Sequence, residues 1–210
     1  MNFIIFGPQA SGKGTQAIRI AEKFGLIHIS TGKIFRANIA NQTEIGLKIK
    51  AIINKGELVP DSLTNKIVQN RLEEEDCKSG FVLDGFPRNR NQADFLDTLH
   101  HKFKSVVDLE VPKTTIINRI STRRVCINCK QNYNTISLKP KVEGICDKCD
   151  GELIQRNDDQ PEAIENRLKI YEEQTKPLLD FYEKKGILLP IDGDQGIDEV
   201  FEEIIKKLES

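Results

Sequence analysis

Apolar residues fall into short unbroken runs separated by polar stretches of helical period. Five segments, 3–6, 26–30, 80–84, 105–111 and 186–191, read as strands, and their near-continuous apolar character suits strands covered on both faces. Helical patterns fill 16–24, 31–55, 62–75, 89–99, 112–123, 161–185 and 196–208, with the longest interrupted near Pro177. The punctuation agrees: Ser30 and Thr31 offer caps, Gly56 follows Lys55 as a stop, and Pro60-Asp61 open the next helix. Strands alternating with helices predict an α/β fold, a five-stranded parallel sheet flanked by helices. His28, inside an apolar run, reads as a core residue and not a ligand. Cys77 reads as a free thiol on the polar side of the 62–75 helix.

From about 124 to 160 the helical period vanishes and Cys, Asn, Lys and Gly take over, which marks an inserted lobe. The lobe carries Cys126-x2-Cys129 and, sixteen residues on, Cys146-x2-Cys149. Two such knuckles present four thiolates, the closed tetrahedral shell of structural zinc; iron in the same geometry or plain free thiols are the alternatives. A lobe this small has no room for an adequate apolar core, so a metal staple has a physical reason to be there.

A length of 210 residues allows one α/β domain with inserts, or two small domains at most. Charged residues make up 30% of the chain, yet they balance to a net −1, which argues against a general nucleic-acid binder. No apolar run approaches the roughly 20 residues needed to cross a bilayer, and Phe3–Phe6 is too short for a signal peptide. Five cysteines, clustered in pairs, fit a reducing compartment, so a cytoplasmic protein is expected.

Two stretches carry chemistry. Gly7-x4-Gly12-Lys13 lies between a strand and a helix, where glycine torsions let several N–H groups converge on a phosphate and the lysine reach its oxygens. Gly14 stands where Ser or Thr usually follows the lysine, and Thr15 comes one residue late. Asp84 ends the third strand, where open α/β sheets bind ligands; it reads as a residue that holds Mg²⁺ through water, or as a turn-forming Asp-Gly. Arg88 and Gln92 stand one helical turn apart, and Arg119 and Arg123 share one face of the predicted helix, as a phosphate clamp or a solvated basic face.

Taken together, the motifs resemble those of adenylate kinases, of the long-lid bacterial type with a zinc-bearing lid, over essentially the whole chain. The resemblance rests on Gly12-Lys13-Gly14-Thr15, on Ser30-Thr31-Gly32 with Arg36, and on Gly56 to Pro60. It rests also on Asp84-Gly85-Phe86-Pro87-Arg88 with Gln92, on Arg123, Arg156-Asn157-Asp158-Asp159 and Arg167, and on the cysteine lobe. It implies a nucleoside monophosphate kinase fold with a core of 1–29, 60–121 and 160–210, an AMP lobe of 30–59 and a lid of 122–159. By the same resemblance Ala10, Ser11, Gly12, Lys13, Gly14, Thr15, Arg119, Arg123, Asn132, Tyr133 and Gln195 lie near ATP. Thr31, Arg36, Glu57, Leu58, Val59, Gly85, Phe86, Pro87, Arg88, Gln92, Arg156 and Arg167 meet AMP.

Two positions depart from that pattern. Ala10 replaces a loop glycine, which bears on the loop's torsions, and Lys33 replaces an acidic residue, a charge reversal that bears on Mg²⁺ handling unless the side chain points outward.

Transfer of the terminal phosphate of Mg-ATP to AMP, giving two ADP, needs no general base, because the AMP phosphate is already an anionic nucleophile. Positioning and cationic stabilisation therefore carry it, with Lys13, Arg36, Arg88, Arg123, Arg156 and Arg167 as the clamp and Asp84 on the Mg²⁺ side. Mg²⁺ and structural Zn²⁺ are the cofactors expected, and a monomer acting on ATP, AMP and ADP, with no nucleic acid or membrane partner. The other readings are a kinase for another nucleoside monophosphate and a nucleotide-gated zinc-ribbon binding module.

Overall fold

The structure is a computed structural model, and it describes residues 1–209. The central sheet comprises β1 (Asn2–Phe6), β2 (Ile27–Ser30), β3 (Phe81–Asp84), β4 (Phe103–Glu110) and a last strand at Leu188–Asp192, called β8 below. Its order is β2-β3-β1-β4-β8, parallel throughout, so the first strand of the chain stands in the middle. Alternation along β1 splits the core in two. Ile4 and Phe6 join Leu83 and Val106 beneath helices that supply Val68, Leu96, Leu178 and Tyr182. Phe3 and Ile5 join Val82 and Val107 beneath Ala17, Ile20, Val200 and Ile204. Burying each such side chain stabilises the fold by roughly 1.5–3 kcal/mol, which is why both faces need helical cover.

Those helices are α1 (Lys13–Phe24), α4 (Asp61–Leu72), α5 (Arg90–Thr98), α8 (Pro177–Lys184) and α9 (Ile197–Glu209), while α6 (Lys113–Ser121) and α7 (Pro161–Ile170) pack together through Ile116, Ile120 and Leu168. Between β2 and α4 a hairpin of α2 (Thr31–Ala40) and α3 (Glu44–Asn54) has its own small core of Phe35, Ile49 and Val59. Thr43 caps α3 by accepting from Gly46 N at 3.0 Å. The crossing is so close that a Cβ on Gly46 would stand 2.1 Å from Asn38 O. Only glycine fits there.

The interruption near Pro177 is a single wide turn, Tyr171–Thr175, in which Lys176 N donates to Tyr171 O at 2.8 Å. Pro177 has no N–H and its ring crowds the carbonyl four residues back, so the helix widens just ahead of it and resumes as α8.

Three expectations need correction. Arg123 does not continue the helix of Arg119: α6 ends at Ser121, Thr122 Oγ1 donates back to Asn118 O at 2.7 Å, and Arg123 opens a strand. The two arginines therefore share no helix face. The helix predicted over 62–75 stops at Leu72, and a 3-10 turn at Glu75–Ser79 follows. That turn swings Cys77 inward, to 6% exposure in the main core, instead of onto a polar face.

The inserted lobe is a three-stranded antiparallel sheet, with β5 (Arg123–Cys126) between β6 (Asn132–Asn134) and β7 (Leu153–Ile154). Arg123, on the way into the lobe, pairs with Asp159, on the way out; Arg123 Nε donates to Asp159 Oδ2 at 2.8 Å. The second contact of this bidentate pair joins Arg123 Nη2 to Asp159 Oδ1.

Candidate active site

The loop between β1 and α1 turns on torsions that favour glycine: φ is 138° at Gly7 and 97° at Gly12. Ala10 adopts φ 58°, so alanine takes the left-handed conformation that a glycine there would adopt without strain. The loop geometry survives the substitution. Lys13 folds back over the loop and donates to Pro8 O at 2.9 Å. Burial pulls its ammonium down to about 7, with Arg88, Arg167 and Arg123 adding to the effect and Asp84 opposing it.

Asp84 reaches the same spot because β3 pairs with β1 in a register that sets Ile5 opposite Asp84. A Cβ on Gly14 would stand 3.6 Å from Asp84 Oδ2, an ordinary van der Waals contact, so the carboxylate lies directly beside the start of α1. Burial works to raise the Asp84 pKa, but the neighbouring His28, the Lys13 charge and Ser30 hold it at about 2. His28 Nε2 lies 3.5 Å from Asp84 Oδ2. The residue read as ordinary core thus shapes the electrostatics of the site.

Beside this loop lies a cleft of about 540 Å³, a volume that includes the solvent at its mouth. Of the residues assigned to AMP by resemblance, Thr31, Arg36, Glu57, Leu58, Val59, Gly85, Arg88, Gln92 and Arg167 line it. A second cleft of about 520 Å³ is lined by Lys13 and Pro87 and shares Gly56, Leu58, Gly85, Arg88 and Arg167 with the first. The phosphate loop and the side cleft are therefore continuous.

Hydrogen bonds fix the walls. Thr31 Oγ1 and Arg88 Nε both donate to Gly85 O, each at 2.9 Å. Gln92 Oε1 accepts from Arg88 N at 2.8 Å, while its Nε2 donates to Asp61 Oδ1 at 2.7 Å. Asp61, read in the sequence only as a helix opener, is therefore the residue that orients the Gln92 amide. Asp158 takes Arg167 Nη1 at 2.8 Å, and Asp159 the Arg123 fork. Burial and neighbouring guanidinium groups lower Arg156 to about 9 and Arg167 to about 10, and both stay cationic at neutral pH. Arg156 Nη2 donates to Asn132 Oδ1 at 2.5 Å.

Not every nominated side chain enters the cleft. Phe86 is fully buried in the sheet core. Tyr133 is 7% exposed inside the inserted lobe, with its hydroxyl 3.5 Å from Cys146 Sγ. Arg119 braces the loop from behind, donating to Ser11 O at 3.3 Å and Gly193 O at 3.1 Å. Gln195 Nε2 donates to Asp192 O and Glu203 Oε2 at 3.0 and 2.8 Å.

In the lobe, the sulfurs of Cys126, Cys129, Cys146 and Cys149 all lie within 4.8 Å of one another. The Cys126–Cys149 and Cys129–Cys146 separations are 3.4 and 3.5 Å. Four sulfurs about 2.3 Å from a tetrahedral zinc lie about 3.8 Å apart, so the cluster fits a structural Zn²⁺ with little adjustment. All ligand positions are filled by thiolates, which leaves none for substrate.

The family model of adenylate kinases matches residues 5–187. The adenylate kinase of Caldanaerobacter subterraneus subsp. tengcongensis is 51% identical over 212 aligned positions, covering 99% of this chain and 96% of that one. Those of Thermoanaerobacter sp. and Methanosarcina mazei are each 50% identical, covering 99% and 97% of this chain and 98% and 96% of their own. With the phosphate loop, the adjoining cleft and this full-length similarity in agreement, the chain belongs to the adenylate kinase family.

Proposed function

We propose that ATP seats its β- and γ-phosphates on Gly7–Thr15 and that AMP occupies the adjoining cleft, its phosphate turned toward Arg36, Arg88 and Arg167. As an adenylate kinase, the protein transfers the terminal phosphate of Mg-ATP reversibly to AMP, giving two ADP. The observation that supports this placement is the continuity of the two clefts, which share Arg88 and Arg167 and have Lys13 on one side and Arg36 on the other.

An AMP phosphate oxygen attacks the γ-phosphorus in line, and the bond from that phosphorus to the β–γ bridging oxygen breaks. No proton moves, so the chain's task is to bring two polyanions together and hold the attacking oxygen on the axis. Lys13 exchanges its Pro8 contact for phosphate oxygens, and Arg88, Arg123, Arg156 and Arg167 neutralise the charge spread over the transferring group. Asp84 stays ionised and, with Thr15, faces the metal side of the triphosphate. Mg²⁺, when bound, would supply further charge neutralisation on that side.

In this reading residues 1–29, 60–121 and 160–210 form the core, 30–59 the lobe that closes on AMP, and 122–159 the lid, stapled by Zn²⁺, that closes over ATP. Closure excludes water, which would otherwise intercept the phosphoryl group. Asn132, Tyr133 and Gln195 contribute to the ATP side through their backbone. The reading carries with it a monomer in the cytoplasm, where five thiols, four of them in the knuckle cluster, suit a reducing compartment. No described helix is long and apolar enough to cross a membrane.

The test is a coupled assay of ADP formation from Mg-ATP with AMP, UMP, CMP and GMP offered in turn. Fast turnover with AMP alone is expected. Preference for a pyrimidine monophosphate would overturn the placement of the adenine ring in the cleft.

A further inference from the structure

Among the described residues that line the first cleft, Gln92 alone carries a side-chain amide. An amide has two ends of opposite character, two hydrogens to donate at Nε2 and two lone pairs to accept with at Oε1. A half-turn about its last bond exchanges the ends and barely alters the shape. Here both ends are pinned. The Arg88 backbone N–H can only donate, and it reaches Oε1 at 2.8 Å; the Asp61 carboxylate accepts from Nε2 at 2.7 Å. Asp61 is itself held, because Asn89 Nδ2 donates to its two oxygens at 2.9 and 3.2 Å. Asn89 Oδ1 in turn accepts from Gln92 N at 2.9 Å, so the ring closes between the first residue of α4 and the cap of α5. Gln92 is 2% exposed, and a polar end left unpaired at such a depth is strongly disfavoured.

Each end of the amide uses only half its capacity. One Nε2 hydrogen and one Oε1 lone pair remain, since the Gln92 side chain makes no other hydrogen bond among the described residues. A donor and an acceptor side by side match an edge of adenine, where the exocyclic amino group sits next to a ring nitrogen that accepts. A 6-oxopurine carries a carbonyl oxygen in place of that amino group and an N–H in place of the acceptor at N1, which is the inverse pattern. The amide turned over would read the 6-oxopurine instead. Turning it over would set Oε1 against the Asp61 carboxylate and Nε2 against the Arg88 N–H, two repulsive contacts in a buried place.

We propose that Asp61 sets the base selectivity of the enzyme, by holding the Gln92 amide in the orientation that accepts adenine and rejects 6-oxopurines. Asp61 lines neither cleft, so it is a positioning residue that acts through Gln92. Arg88 N supplies the other half of the lock, from the residue whose guanidinium belongs to the phosphate clamp. The inference rests on the placement of AMP in this cleft given above.

The readout is kcat/KM for AMP divided by kcat/KM for IMP, the 6-oxopurine nucleotide that differs from AMP only at that edge, with Mg-ATP as donor. A well-placed bidentate pair discriminates between bases by about tenfold to a hundredfold. Asp61→Ala should therefore lower the ratio by about tenfold, with the loss falling on KM for AMP more than on kcat. Asp61→Asn keeps a neutral, weaker acceptor and should lower it by about threefold. In a Gln92→Ala background, Asp61→Ala should change the ratio no further, because the residue through which it acts is gone. A wild-type ratio in both Asp61 variants would overturn the assignment. So would an equal loss of activity toward AMP and IMP, the mark of a general structural role. Where Asp61→Ala melts well below the wild type, Asp61→Asn decides on the same criterion. A wild-type enzyme that uses AMP and IMP alike would overturn the placement of adenine in the cleft, and the role of Asp61 with it. A selective wild type with equally selective variants would leave that placement standing and remove Asp61 alone.

Discussion

Asp108 is a carboxylate in an unfavourable place. It lies on β4 opposite Phe6 of β1 and Pro190 of β8, it is 3% exposed, and its Oδ1 has no hydrogen-bond partner. Burial pushes its pKa up to about 6, Glu110 pushes the same way, and Lys176 only partly offsets them. An unfolded aspartate titrates near 3.8, so folding raises this pKa by about two units, or roughly 3 kcal/mol at 1.36 kcal/mol per unit. Between about pH 4 and pH 6 the native protein holds a proton that the unfolded chain has released, so stability falls as pH rises through that window. Above about 6 the penalty is complete and constant. Asp108→Asn keeps the shape and removes the charge, and should therefore stabilise the protein by roughly 2–3 kcal/mol at pH 7.5, with the gain fading toward pH 4. Urea unfolding of both proteins at half-unit steps from pH 4 to 8 measures this directly. The difference between the two curves isolates Asp108 together with its coupling to Glu110 and Lys176. A difference that does not change with pH, or a variant less stable at pH 7.5, would refute the reasoning.

Three further outcomes are expected. Arg88→Ala removes a preorganised donor shared by both clefts and should lower turnover by roughly 10²–10³ with the fold intact; a near-wild-type rate in the coupled assay removes Arg88 from the clamp. The Lys13 ammonium, pulled down to about 7 by burial, should gain a proton when a triphosphate arrives. ATP binding just above pH 7 should then take up protons and weaken as pH rises further, read by calorimetry in buffers of different ionisation enthalpy. Stripping metal from Cys126, Cys129, Cys146 and Cys149 should loosen the lobe at a chelator concentration that leaves the central sheet folded, since those ligands belong to one small lobe. Loss of core and lobe signals in a single step would contradict that.

The parts of this molecule that were legible in its sequence are those whose cause is local. The apolar runs and helical periods gave the five parallel strands and their covering helices along the chain, though not the order of the strands in the sheet, and the two cysteine knuckles marked the inserted lobe. What sequence could not supply was register. His28 meets Asp84 because β2 and β3 pair with Ser30 opposite Asp84, a fact carried by hydrogen bonds between segments some fifty residues apart. Asp61 was visible only as a helix opener, since its role depends on α4 meeting α5 through Gln92 and Asn89. Arg123 was assigned to a helix because four-residue spacing from Arg119 fits one, whereas the back-bonding of Thr122 ends that helix two residues earlier. Ala10 is the reverse case: a substitution that looked disruptive is absorbed by a left-handed torsion costing roughly 1–2 kcal/mol.

The position of β1 also sets a timetable for synthesis. The strand that precedes the phosphate loop leaves the ribosome well before its two neighbours, β3 and β4, which begin at residues 81 and 103. The edge strand begins at 188, and Leu178 and Tyr182 close one half of the core. A nascent chain therefore cannot set β1 between both its neighbours until Glu110 has been translated, and until β3 emerges the Phe3–Phe6 run waits unpaired. The α2–α3 hairpin and the cysteine lobe, whose four ligands span Cys126 to Cys149, close on sequence-local contacts and are free to form early. The two pieces proposed to close over the substrates are thus the ones able to fold on their own schedule, while the sheet between them waits for its later strands.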